Sequence, residues 1–232
     1  MFKTILLCIV LISFSKGDNS TLQLNHVVTK HINDKGEIKG MTVKRDIDPI
    51  CKNIHISNEV IWQGNYASPK VPEACKSTFV TCAGQSIFPM QLHQKIETYG
   101  EVEVMEFIKQ MQEHESMLLI DTRAGKWYTY RTIPGAINIY YKYIMKPHIF
   151  QDDYEASLDR LGVIGKKKPF DFSKAKTILL FCNGAWCSQS PKMVKSLLAL
   201  GYPPEKIKWY RGGMEDWLGL SMSTTNKYKA RH

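Results

Sequence analysis

Apolar residues recur along this chain at two periods, and the changes between them mark where one kind of segment gives way to another. From Gly100 onward, Val104, Phe107, Ile108 and Met111 follow the spacing of one helical face, and MLLID (117–121) then reads as a short buried strand. AINI (136–139) predicts a second strand, and DDYEASLDRLG a helix with Leu158 and Leu161 on one face. TILLF (177–181) is apolar enough for a strand covered on both sides. A helix is predicted from about Ser190: Ser caps it, Pro191 fits its first turn, Met193, Val194, Leu197, Leu198 and Leu200 make its apolar face, and Gly201 ends it. KIKWY (206–210) gives a fourth strand and MEDWL a short closing helix. Strands alternating with helices predict an α/β fold in three layers, with a mostly parallel sheet between helices. Ligands in such sheets bind beyond the carboxyl ends of the strands.

The pattern upstream is of another kind. Residues 18–45 are polar, and Asn33-Asp34-Lys35-Gly36 is a turn signal that joins two predicted strands, HVVTKHI and EIKGMTV. Residues 46–90 hold three cysteines and the turn-prone ASPKVPE without periodicity. The stretch 18–93 is therefore expected to be a small N-terminal segment of uncertain fold, open to stapling by two of Cys51, Cys75 and Cys82. Residues 223–232 read as a polar tail.

The first seventeen residues, MFKTILLCIVLISFSKG, carry Lys3, an apolar run from Ile5 to Ile12 and small residues where a signal peptidase would cut. The run is shorter than the roughly 18–20 residues that span a bilayer. Residues 1–17 are thus expected to be a signal peptide, with the rest exported to a periplasm or secreted, free of the membrane after signal removal. Cys8 has no lipidation context. Export would lower the formal charge from +9 to +7, as Lys3 and Lys16 leave. The lysines are scattered apart from Lys166-Lys167-Lys168 and form no aromatic-interleaved stripe, which argues against nucleic acid as partner and for attraction of small anions.

Export would leave five cysteines, an odd number in an oxidising compartment, so at least one is unpaired within the chain. The candidate is Cys182, in FCNGAWCSQSP (181–191) between the third strand and its helix. Free N–H groups and the macrodipole at a helix start stabilise a thiolate, so the Cys182 pKa is expected to fall below the ~8.5 of a free cysteine. Gly184 lets the loop curl so that its N–H groups face inward as an anion nest. Competing readings are a redox dithiol with Cys187, against which stand four intervening residues rather than two, and a buried core cysteine. Zinc would need a second compact Cys/His pair, and none accompanies this one, so no metal or other cofactor is expected.

Three stretches together resemble the rhodanese homology domain, over roughly residues 94–222. LLIDTR (118–123) with IPGAINI (133–139) is similar to the family's first motif, LLFCNGAWCS (179–188) to its catalytic loop, and WYRGGMEDW (209–217) to its closing Gly-Gly-x-x-x-Trp. The resemblance implies a rhodanese-like sulfurtransferase in which Cys182 accepts sulfane sulfur, becomes a persulfide and passes the outer sulfur on. Asn183, Gly184, Ala185, Trp186, Cys187 and Ser188 would bind the anionic sulfur, with Arg123 on the active-site side of the sheet. Asp121 and Arg211 are candidate supports: Asp121 could instead simply pair with Arg123, and Arg211 could face the pocket mouth. Family members acting on phosphate have a loop one residue longer ending in Arg. Here no Arg lies in the loop and Gln189 follows it, which disfavours phosphatase activity.

Residues 183–188 carry no basic side chain for thiosulfate, and the nearest cation is Lys192. A small sulfur anion remains the expected substrate, with polysulfide favoured over thiosulfate and a thiol or protein as acceptor. Trp186 is either a polarizable wall for a sulfur chain or a hydrophobic lid. Cys187 is either a resolving thiol, releasing sulfide as it forms a disulfide with Cys182, or a packed thiol without chemistry. His114 and His148 have no motif around them and read as surface residues. Alternatives to the enzyme are a non-catalytic carrier of sulfane sulfur on Cys182 and a thiol-disulfide oxidoreductase using Cys182 and Cys187.

Overall fold

The computed structural model describes residues 26–44, 88–165, 167–185 and 187–226. The expected signal peptide, Cys51, Cys75, Cys82 and Trp186 lie outside the described residues.

Five strands form one sheet: β3 (Glu97–Tyr99), β4 (Met117–Asp121), β5 (Ile137–Asn138), β6 (Thr177–Phe181) and β7 (Ile207–Tyr210). Their spatial order is β3-β7-β6-β4-β5, and every pairing is parallel. β6 is central, and Leu119 stands opposite Leu179 as Ile120 stands opposite Leu180 on the β4–β6 ladder. Because strand side chains alternate in direction, the apolar runs divide between two cores. Ile120, Ile178, Leu180 and Trp209 pack against Ile144, Tyr154, Leu158, Met193, Val194 and Leu197. These belong to α3 (Tyr141–Met145), α4 (Gln151–Arg160) and α5 (Gln189–Leu200). Leu119, Leu179, Phe181 and Tyr210 pack instead against Val104, Met105, Ile108, Met214 and Trp217, from α1 (Glu101–Gln110) and α6 (Gly213–Gly219). The α/β three-layer expectation thus holds, with helices on both faces of the sheet.

The N-terminal strands form an antiparallel hairpin, β1 (Val27–Ile32) and β2 (Ile38–Val43). The Asn33 side-chain oxygen accepts the N–H groups of Lys35 at 2.9 Å and Glu37 at 3.0 Å, an Asx turn that explains the turn signal. Val27 and Val43 join the core formed with α1 and α6, and the Ser223 N–H donates to the Lys44 carbonyl. The hairpin and the start of the expected polar tail are therefore parts of the packed body, and Ser223 itself is buried.

Some boundaries differ from expectation. The second strand shrinks to Ile137–Asn138, and α5 begins at Gln189 with Ser188 at its N-cap position, making no side-chain cap bond. Ser190 is not the cap, because its hydroxyl is engaged elsewhere. The helix does end at Gly201, whose left-handed conformation (φ 97°) closes the last turn. Sequence periodicity missed β3, α2 (Gly125–Tyr130) and α3: β3 has three residues, and α2 buries none of its side chains, so neither presents an apolar period.

Candidate functional site

The site lies at the carboxyl end of β6, where Phe181 hands over to Cys182. Two neighbours fix this handover. Thr122 donates to the Phe181 carbonyl through both its N–H (3.0 Å) and its hydroxyl (2.9 Å). The first turn of α6 donates from Met214 to the Cys182 carbonyl (3.0 Å) and from Glu215 to that of Asn183 (2.7 Å). That approach needs Gly213, whose φ is +57° and at which a Cβ would collide with the Cys182 carbonyl oxygen and come 2.8 Å from the Gly184 nitrogen. The Gly-Gly turn of the third motif is thus a contact surface for the loop of the second.

Beneath the loop runs a buried polar network. Asp121 and Arg123 are 0% and 1% exposed, and their side chains pair at 2.7 Å, with further bonds from Arg123 Nε to both carboxylate oxygens. The Thr132 hydroxyl donates to Asp121 at 2.8 Å. Arg123 also donates to the Arg131 carbonyl and, at 3.2 Å, to the Asn183 side-chain oxygen. Arg123, expected among the substrate-binding residues, therefore reaches the loop through Asn183. Arg211, the other candidate support, donates to the Phe88 carbonyl at 2.9 Å, and the Phe88 N–H donates to the Ala185 carbonyl at 2.8 Å. Together they brace the outer side of the loop.

Inside the loop, Cys182 and Cys187 are both buried free thiols. Cys182 Sγ lies 3.3 Å from the Cys187 carbonyl oxygen and accepts the Ser190 hydroxyl at 3.0 Å. The expected acidification of Cys182 is reversed: burial pushes its thiol well above the ordinary cysteine value, and the nearby Cys187 adds to this against opposing hydrogen bonds from the Ser190 hydroxyl and N–H. The acidic sulfur is Cys187, brought down to about 7 by a hydrogen bond from Cys182, backbone N–H groups of Asn183 and Gln189, and the charge of Arg123, against its own desolvation. Loop amides do aim at sulfur, as the nest idea required, but the Asn183 and Gln189 amides aim at the second cysteine. The Cys187 N–H closes a turn on the Gly184 carbonyl at 2.9 Å. Ser188, half-buried, accepts the Lys192 N–H at 3.0 Å through its carbonyl.

Sequence reasoning overlooked three residues here. Ser190, expected to cap the helix, is fully buried against Cys182. Trp209 donates its indole N–H to the Ser190 hydroxyl at 3.3 Å, and the alternation of β7 beside β6 was the signal that could have found it. Tyr141 at the start of α3 feels the charge of Cys187, although burial is the larger reason that its hydroxyl is less acidic than usual. His114 and His148 take no part in this network. Among the described residues, no group of three or more His, Cys, Asp and Glu side chains gathers in a way that could hold a metal ion.

A strand-terminal cysteine in a curled loop, an Asp-x-Arg pair beneath it and a Gly-Gly turn against it, all on a parallel sheet between helices, define a rhodanese-like architecture. The family model for the Rhodanese-like domain matches residues 104–220, and the chain belongs to that family. Similar solved structures include the BH2092 protein from Bacillus halodurans, at 24% identity over 52% of this chain and 71% of that one, with a TM-score of 0.37. Another is the rhodanese-like domain of the Alr3790 protein from Anabaena, at 17% identity over 59% and 89%, with a TM-score of 0.38. A third is an uncharacterized protein from Saccharomyces cerevisiae, at 19% identity over 53% and 92%, with a TM-score of 0.32. No curated protein matches the chain.

Proposed function

We propose that the protein is a sulfurtransferase that carries sulfane sulfur as a persulfide on Cys182. The observation that carries this reading is the pair of buried free thiols in one curled loop, Cys182 at the strand end with Ser190 donors on it and Cys187 held as the readier anion beside it. In the first half-reaction the Cys187 thiolate takes the Cys182 proton as Cys182 sulfur attacks the sulfane sulfur of the donor. The donor's sulfur–sulfur bond breaks and its electron pair leaves with the departing anion. In the second half-reaction a nucleophilic acceptor bonds to the outer sulfur, and the Cys182 sulfur keeps the electron pair of the broken bond. Polysulfide is the favoured donor and thiosulfate the less favoured one, because residues 183–188 contain no cation and Arg123 is committed below the loop. The acceptor is a small thiol or a protein thiol. The protein acts after export, in a periplasm or outside the cell, in keeping with the leader-like residues 1–17.

A second reading is favoured by the position of Cys187. If its thiolate attacks the Cys182 persulfide, a Cys182–Cys187 disulfide forms and sulfide leaves, and a dithiol reductant must then restore the pair. Intact mass after exposure to polysulfide or thiosulfate tests both readings. The transferase predicts the mass gain of added sulfur, abolished by Cys182→Ser, with repeated turnover on cyanide or a small thiol. Sulfide release with loss of two hydrogens supports the oxidoreductase instead, and a single stoichiometric release without turnover supports a carrier. A wild-type chain that shows neither sulfur gain nor loss of two hydrogens with sulfide release, with either donor, sinks the persulfide reading.

A further inference from the structure

Ser190 occupies the second position of α5 and is fully buried, yet neither its hydroxyl nor its N–H serves the helix. The first N–H groups of a helix have no partner within it, and that of Ser190 turns toward Cys182. Its hydroxyl lies 3.0 Å from Cys182 Sγ and 3.3 Å from Trp209 Nε1. An indole N–H can only donate, so it occupies a lone pair of the Ser190 oxygen and leaves the hydroxyl hydrogen to point at the sulfur. Trp209 is itself 1% exposed, so no water competes for its N–H. The order Trp209 to Ser190 to Cys182 is therefore a directed chain of donors ending on the reactive sulfur.

We propose that Ser190 is a catalytic residue of the sulfur-transfer reaction, stabilising the Cys182 thiolate as nucleophile in the first half-reaction and as leaving group in the second, with Trp209 as the positioning residue that fixes the hydroxyl's direction. The inference rests on the persulfide reading above. When the acceptor takes the outer sulfur, the sulfur–sulfur bond breaks, the electron pair passes to Cys182 Sγ, and the Ser190 O–H and N–H meet the new charge. The hydroxyl is already in place, so no solvent has to reorganise in a pocket that excludes it. Hydrogen bonds to an ionised acceptor are about twice as strong as those between neutral groups, so the contact strengthens as charge develops.

The test is an NMR titration of carbon-labelled cysteine, following the Cβ shift of Cys182 in a Cys187→Ser background where it is the one titrating sulfur of the loop. Ser190→Ala is expected to raise the Cys182 midpoint by about one pH unit, a tenfold loss of thiolate at any pH below it. Trp209→Phe is expected to raise the midpoint by less, since the hydroxyl remains but is free to turn. In the chain with Cys187 intact, Ser190→Ala is expected to slow sulfur release from the loaded persulfide about tenfold, with Ser190→Thr recovering most of it. An unmoved Cys182 midpoint in folded Ser190→Ala overturns the proposal. If that variant does not fold, an unmoved midpoint in Trp209→Phe does so. The titration involves no sulfur donor, so its outcome is separate from whether a persulfide forms.

Discussion

The two sulfurs of the loop sit five residues apart at the start of one helix, both buried, and their acidities move in opposite directions. Cys182 follows the end of the central strand and is buried, and loss of water is the largest influence on it. Cys187 has lost water too, but two backbone amides and the Cys182 thiol aim at it, and Arg123 lies within range of its charge. Nearness to a helix N-terminus is common to both and so does not decide the matter. What decides it is whether enough donors point at the sulfur to outweigh desolvation.

The largest test of this contrast is to remove the network that fixes the loop from below. Asp121→Ala leaves the buried Arg123 guanidinium without its carboxylate, an error that costs about 3–5 kcal/mol when one partner of a buried pair is lost. Urea denaturation should register that loss, and the two cysteine midpoints should converge as Asn183 loosens. A stability change within error would mean that Arg123 finds full compensation elsewhere.

Gly213→Ala comes next, because it adds a methyl against the Cys182 carbonyl at a residue held at positive φ. A strain of about 1–3 kcal/mol is expected for a side chain in that conformation. Thermal denaturation should fall accordingly, and sulfur transfer should slow because the loop shifts at its strand end. Unchanged transfer in a destabilised variant would show that the Gly-Gly turn serves stability alone.

The smallest effects are in pH dependence. Alkylation of Cys187, followed by peptide mass spectrometry, should rise with pH to half its maximum at about 7. Its folded value lies below that of the unfolded chain. The stability it contributes is therefore fully present above the ordinary cysteine value and lost as pH falls through about 7. Burial is the main reason that Cys182 is held up; Cys187→Ser removes the neighbour that adds to it, so the Cys182 midpoint should move downward. An upward or unmoved midpoint would mean that Cys187 adds nothing to the effect of burial on Cys182.

Much of this arrangement was legible in the chain. MLLID and TILLF match β4 and β6 residue for residue, because strands buried on both faces must be short uninterrupted apolar runs. The loop, the Asp121–Arg123 pair and the Gly-Gly turn were found as motifs, since each needs particular residue types at fixed spacing. Ser190 was misread because a serine at a helix start is ordinarily a cap, and only the seating of β7 beside β6 brings Trp209 to its other side. The acidity of the cysteines was misassigned for a similar reason: a helix start is visible in a sequence, whereas the direction of an individual amide is not.

Periodicity by itself determined the central strands of the parallel sheet and its longer helices, because burial on one face or two leaves a repeat in the chain, and the residue types at fixed spacing marked the loop that holds two thiols. Only the tertiary structure decided which thiol is the more acidic and which side chains attend it. Those outcomes depend on contacts between segments distant in sequence, on the removal of water from each sulfur, and on the orientation of single N–H and O–H bonds.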